Sequence, residues 1–166
     1  MEVLNSIILV TFSNTEPLIN IEEVLEVEKY IGLNFPKEYV DHILLYNGGQ
    51  CDPNVFKFNE KGVLTESCID WFLAIYEGEY DNLKNYIDTY KLEEKRLPYQ
   101  MIPIAHDPGG NLICISCIGQ DVGFVYFWDH ENEVNYKVSD DSNYSNLFLI
   151  AESFNEFISN LKEDFQ

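Results

Sequence analysis

Between Ile21 and Ile31 the apolar residues Ile21, Val24, Leu25 and Ile31 recur at helical spacing, with Glu22, Glu23 and Glu26 on the other side. The pattern predicts an amphipathic helix that Gly32 ends. Pro36 stands where a second helix would begin, because its missing N–H costs nothing in a first turn. Tyr39, Val40, Ile43 and Leu44 form that helix's buried stripe, and Asn47-Gly48-Gly49 offers residues that tolerate positive φ at its end. Residues 55–58 and 68–74 are short, aromatic and β-branched, and read as strands. From Tyr80 to about Lys95 the chain is polar, with Leu83, Tyr86, Ile87 and Tyr90 at spacings of three and four, which predicts a third helix.

The next stretch reads as strands at 101–106 and 111–118, joined by Asp107-Pro108-Gly109-Gly110. Proline at the second turn position and glycine at the third is the type II pattern. Both faces of 111–118 are largely apolar, as for an internal strand. Residues 122–128 form another strand and 133–138 one more. A closing helix starts near Phe154, where Ser153 followed three residues later by Glu156 fits a capping box and Phe154, Phe157, Ile158 and Leu161 make one apolar stripe. Two helices, strands, a helix, a run of mostly antiparallel strands and a last helix make the class α+β. With no repeat, low-complexity tract or linker-like shift, residues 1–166 read as a single domain.

Composition narrows the function. The 166 residues are 46% hydrophobic, with eleven Phe, eleven Tyr and two Trp, so the chain has the material for one core without a metal or disulfide scaffold. The apolar run at 7–10 is short and no basic region precedes it, so it does not read as a secretory signal. No stretch approaches the ~20 apolar residues of a membrane helix. The four cysteines, Cys51, Cys68, Cys114 and Cys117, are then expected as free thiols in a reducing cytoplasm. Twenty-nine Asp and Glu stand against ten Lys and Arg, a net charge of −19. Such a chain repels nucleic acid and anionic membranes, which require clustered cations. The same excess suits a solubility device or a protein with a basic partner, whose encounter rate opposite fields raise.

The chemistry-like features have plain structural readings. Cys114-Ile115-Ser116-Cys117 has redox or zinc spacing, but on a regular strand residues three apart face opposite ways, which favours a core role. His106-Asp107 and Asp129-His130-Glu131 lack the spacing that would bring ligands or an acid–base pair together, and His42 lies mid-helix beside Asp41. The Asp107–Asn111 glycine turn leads into a strand, whereas phosphate-cradling loops use a helix N-terminus. No catalytic residue, metal site or cofactor is expected.

Six landmarks in order resemble the SMI1/KNR4 family, the founding branch of the SUKH superfamily. They are Glu28-Lys29-Tyr30-Ile31-Gly32, Phe35-Pro36-Lys37-Glu38-Tyr39, Asn47-Gly48-Gly49, the strand Ile102-Pro103-Ile104-Ala105 with its Asp107-Pro108-Gly109-Gly110-Asn111 turn, the run from Val125 through Glu131, and Ile150-Ala151-Glu152-Ser153-Phe154-Asn155-Glu156-Phe157. The likeness runs from about residue 21 to about residue 161. Phe35 replaces the usual Leu, and the first twenty residues and 59–66 match less well.

The resemblance implies one domain with a bent, mainly antiparallel or mixed sheet of about six strands and helices packed against it. It also implies a non-enzymatic protein-binding role. Bacterial members are similar to immunity proteins encoded beside polymorphic toxins, many of them nucleases, and fungal members look like regulatory scaffolds. The expected partner is therefore a basic toxin domain, a nuclease, covered by an acidic surface, with a regulatory scaffold as the alternative. A hydrolase using paired carboxylates is a third reading, and it requires a defined separation in a cleft. Charge density picks out Glu77, Glu79, Asp81, Asp129, Glu131, Glu133, Asp140 and Asp141 as the partner-binding acids.

Overall fold

The computed structural model describes residues 9–163, so part of the 7–10 run lies outside it. Helix α1 spans Ile21–Ile31 as predicted and ends on Gly32 in the left-handed region, φ 74°. A full capping box forms at its start, with the Asn20 side chain accepting from Glu23 N and the Glu23 carboxylate accepting from Asn20 N. Its buried stripe is Val24, Val27 and Ile31. Ile21 and Leu25, expected inside, are exposed, because the helix rests on the sheet through a narrower face. Helix α2 is Lys37–Leu45, with Tyr39 and Ile43 buried and Val40 and Leu44 half-buried against the core. Helix α4 is Phe154–Ser159, capped by the Ser153 hydroxyl accepting from Glu156 N. Phe154, Phe157 and the following Leu161 are buried, and each full burial of this kind contributes about 1.5–3 kcal/mol.

The central sheet has five antiparallel strands in the order β5 (Trp71–Phe72), β6 (Met101–His106), β7 (Leu112–Ser116), β8 (Val125–Trp128) and β9 (Leu147–Ala151). Two short pairs flank it: β1 (Thr11–Ser13) with β2 (Gln50–Asp52), and the hairpin of β3 (Val55–Glu60) with β4 (Val63–Cys68). A Gly49–Phe72 bridge ties the first pair to the β5 edge. Among the described residues all nine strands pair antiparallel, and the one parallel pairing is the isolated Ala74–Asn82 bridge.

The sheet is covered on both faces. Ile113, Ile115 and Cys117 enter the larger core with α1, α2, α4 and β3, whereas Leu112 and Cys114 enter a smaller one with Leu97, Tyr126, Trp128 and Leu147. The two thiols therefore lie on opposite sides of the sheet, as strand alternation requires.

Four expectations are corrected. Residues 68–74 do not form one strand, because the chain crosses from the hairpin to the sheet at Ile69 and Asp70, which bond to Asn54 and His106. The third helix starts late: Asp81 takes a left-handed φ of 51° and Asn82 caps, so helix α3 is Leu83–Tyr86 and continues as a π-helix at Ile87–Glu93. Residues 133–138 form no strand: the chain is irregular at 133–135 and turns at 136–138, with Asn135 O accepting from the N–H of Val138 and Ser139. The left-handed residue of the 107–111 turn is Gly110, φ 88°, not Gly109. Strands β1, β2, β4 and β9 had no prediction of their own.

Candidate functional site

Residues 75–82 form a loop pinned from several sides. The buried Asn47 side chain accepts from Ile75 N and donates to the carbonyls of Ile75 and Pro17. Asn82 donates to the carbonyls of Tyr76 and Gly78, at 2.8 and 2.9 Å. The Tyr76 hydroxyl donates to Tyr80 O. A Cβ on Gly78 would sit 2.0 Å from the Tyr76 ring, so a side chain there requires that ring to move. Asp81 closes the loop, its carbonyl accepting from Ala74 N and its carboxylate lying 2.6 Å from His106 Nε2. His106 is in turn stacked on Tyr86 and lies 3.8 Å from Asp70.

The pinned loop presents Glu77 and Glu79 outward at one wall of a cleft of about 670 Å³. The opposite wall is α1, through Glu23, Glu26, Val27 and Tyr30. Their helical spacing puts these four side chains on one face, which meets the buried stripe at Val27. Glu26, Glu77 and Glu79 are exposed, and among the described residues none donates to or pairs with their carboxylates. At one end Lys84 bonds Asp88 at 3.1 Å and lies 4.3 Å from the Tyr30 ring centre, and the Tyr30 hydroxyl donates to Asp88 at 2.6 Å. The hydrogen bond to Asp88 raises the Tyr30 phenol above its ordinary value, and the same carboxylate raises the Lys84 ammonium.

The remaining predicted acids lie elsewhere and are mostly occupied. Asp129 is 8% exposed; its carboxylate accepts from Glu131 N and Asn132 Nδ2 and so caps the short 3-10 turn His130–Asn132. Glu133 pairs with Arg96, the chain's one arginine, which also holds Glu94 at 2.9 Å and lies over the Tyr90 and Trp128 rings. Glu131 is exposed at the same turn. The Asp140 carboxylate accepts from Ser142 N, which lowers its pKa, and Asp141 accepts from Tyr99 N. Asp141 also lines a 260 Å³ cavity with Lys91 and Lys95.

Of the eight predicted acids, the structure thus brings Glu77 and Glu79 together in one cleft, with Asp81 as the loop's anchor. Glu23 and Glu26, which complete the cleft, were missed, although their spacing to Tyr30 was readable on the predicted helix.

The other candidates take structural places. Asp107 is 5% exposed and accepts from Gly109 N, Asn111 N, Asn111 Nδ2 and the Ser67 hydroxyl, so it organises the glycine turn. His130 Nδ1 lies 2.6 Å from Asn111 Oδ1. Burial pushes the Cys114 thiol up and the Cys117 thiol up to about 12, so both stay protonated at neutral pH. Among the described residues no group of three or more His, Cys, Asp or Glu is placed to hold a metal ion, and no helix is long and apolar enough to cross a membrane.

A sequence profile of the SMI1/KNR4 family (SUKH-1) matches residues 18–160. The chain belongs to the SMI1/KNR4 family. Members of this SUKH family are broadly associated with immunity to polymorphic toxins and are generally non-catalytic. The chain is also similar to an SPbeta prophage-derived uncharacterized protein, YokK, of Bacillus subtilis (strain 168). The two are 33% identical over 165 residues, covering 89% of this chain and 78% of the relative. All six SMI1/KNR4 landmarks fall wholly inside the matched span. The structure gives several of them fold-level tasks: Gly32 ends α1, Asn47 pins the 75–82 loop and Asp107 holds the glycine turn.

Proposed function

We propose that this SMI1/KNR4 protein is an immunity protein that neutralises a cognate polymorphic toxin, a nuclease, by covering the toxin's basic surface. The observation that carries the reading is the cleft between α1 and the 75–82 loop. It sets unpaired Glu26, Glu77 and Glu79 around the Tyr30 and Tyr76 rings. A nuclease presents Lys and Arg where it expects phosphates, and carboxylates on a pinned loop can take those places. Tyrosines beside them supply the apolar contact that anchors an interface. Because the loop is already held in shape, little ordering entropy opposes binding. Inhibition then follows from occlusion, with no reaction on the immunity protein's side.

The test is co-expression with the C-terminal domain of a toxin encoded beside this gene. The reading expects growth rescue and a one-to-one complex that weakens as salt is raised. Failure of rescue and of complex formation with each neighbouring toxin would turn the interpretation to the regulatory scaffold.

A further inference from the structure

The cleft already contains one cation, and it belongs to the chain itself. Lys84 is the single Lys or Arg among the described residues lining it. Its ammonium has an aromatic face at 4.3 Å, from Tyr30, and a carboxylate at 3.1 Å, from Asp88. Tyr30 and Asp88 are joined to each other at 2.6 Å, so ring and carboxylate are set as a pair before any cation arrives. An aromatic face with an adjacent carboxylate is the setting that binds an ammonium or guanidinium group.

The charges in the cleft do not balance. Four lining carboxylates, Glu23, Glu26, Glu77 and Glu79, face one lysine, and that lysine is paired with Asp88 instead. The lysine is also loosely held, with its side chain 51% exposed, whereas Asp88 is 23% exposed. A flexible stem with an exposed ammonium can leave while the ring and carboxylate stay in place.

Resting on the immunity reading above, we propose that the cleft is a receptor for one basic side chain of the partner protein, and that Lys84 is its built-in competitor. A partner arginine or lysine enters between the α1 wall and the Glu77–Glu79 tip and takes over the Tyr30–Asp88 seat, and Lys84 swings into solvent. Lys84 thereby sets a threshold: a lone weak cation does not displace it, and a basic side chain supported by further contacts does.

The experiment uses the full chain and a peptide probe, acetyl-Arg-Gly-Arg-amide, with the citrulline analogue as the neutral control. Backbone amide shifts are followed by NMR in the wild type, Lys84→Met, Lys37→Met and the Glu77→Gln/Glu79→Gln pair. Lys37→Met removes the same charge from α2, away from the cleft, and thermal unfolding shows that each variant is folded. The proposal expects arginine-dependent shifts at Tyr30 and residues 76–79. It expects Lys84→Met to bind about threefold tighter than Lys37→Met, as loss of an exposed cation–π competitor implies, and the double glutamine variant about five- to tenfold weaker than wild type. Equal affinities for the two lysine variants, or shifts centred elsewhere, overturn it. Co-expression separates this failure from failure of the immunity reading: rescue with an unresponsive Lys84 leaves immunity standing, and a responsive cleft without rescue leaves the receptor standing.

Discussion

Two acidic regions of this protein look alike in sequence and differ in what their carboxylates touch. At the 75–82 loop the backbone is held by amides, by the Tyr76 hydroxyl and by Asp81, which leaves Glu77 and Glu79 unpaired at the edge of a cleft. At 129–133 the carboxylates themselves do the holding, Asp129 by capping a turn and Glu133 by clamping Arg96. Charge density therefore says little about availability. An acid is free to recognise a partner only where other groups satisfy the local backbone.

The comparison is broken most forcefully by removing a holding acid. Asp107→Ala and Asp129→Ala each remove a buried carboxylate that accepts several hydrogen bonds and holds a turn, and each should cost about 2–4 kcal/mol of stability in urea unfolding. A loss under about 1 kcal/mol at both sites would erase the distinction.

Nearly as large an effect should come from a buried polar group with no charge partner. His42 Nε2 has no hydrogen-bond partner and lies among Phe12, Tyr46, Phe72 and Phe154. Burial lowers its pKa from 6.5 to about 4. Between these values the unfolded chain takes up a proton that the folded chain refuses, so stability is full above about pH 6.5 and falls as pH drops toward 4. The loss reaches up to about 3 kcal/mol. His42→Phe should flatten the pH dependence of stability in that window, and an unchanged slope would refute the assignment.

The free acids should behave in the opposite way. Glu77→Lys with Glu79→Lys should leave stability within about 0.5 kcal/mol and weaken toxin binding by about thirty- to a hundredfold, roughly 2–3 kcal/mol, in calorimetric titration. The smallest expected effect is that of Arg96→Met, about 1 kcal/mol of stability. It frees Glu94 and Glu133 as a second acidic patch, and toxin affinity should not rise by more than the general gain in negative charge.

Much of the fold was legible because local rules and tertiary structure agreed. The apolar periods and the Gly32, Pro36 and Ser153 signals placed α1, α2 and α4, and the two apolar faces of β7 marked it as an internal strand, which it is, between β6 and β8. Prediction failed where long-range bonds decide. Strand β1 is three residues whose partner lies about forty positions away. The π-helical turn carries Lys91, 4% exposed, whose ammonium donates to Pro98 O and Tyr99 O, a burial that no polar pattern signals. The site was half legible for the same reason. Glu77 and Glu79 stood out by density, but their pairing with Glu23 and Glu26 depends on α1 packing beside the loop. Asp81 could not be told from its neighbours until His106, twenty-five positions on, came beside it.

The most direct test of the central claim is amide hydrogen exchange of the full chain with and without an inactivated cognate toxin domain. The account predicts new protection at residues 75–82 and along the Glu23–Tyr30 face of α1, with 129–141 unchanged. Protection at 129–141 with an unaltered cleft would contradict it.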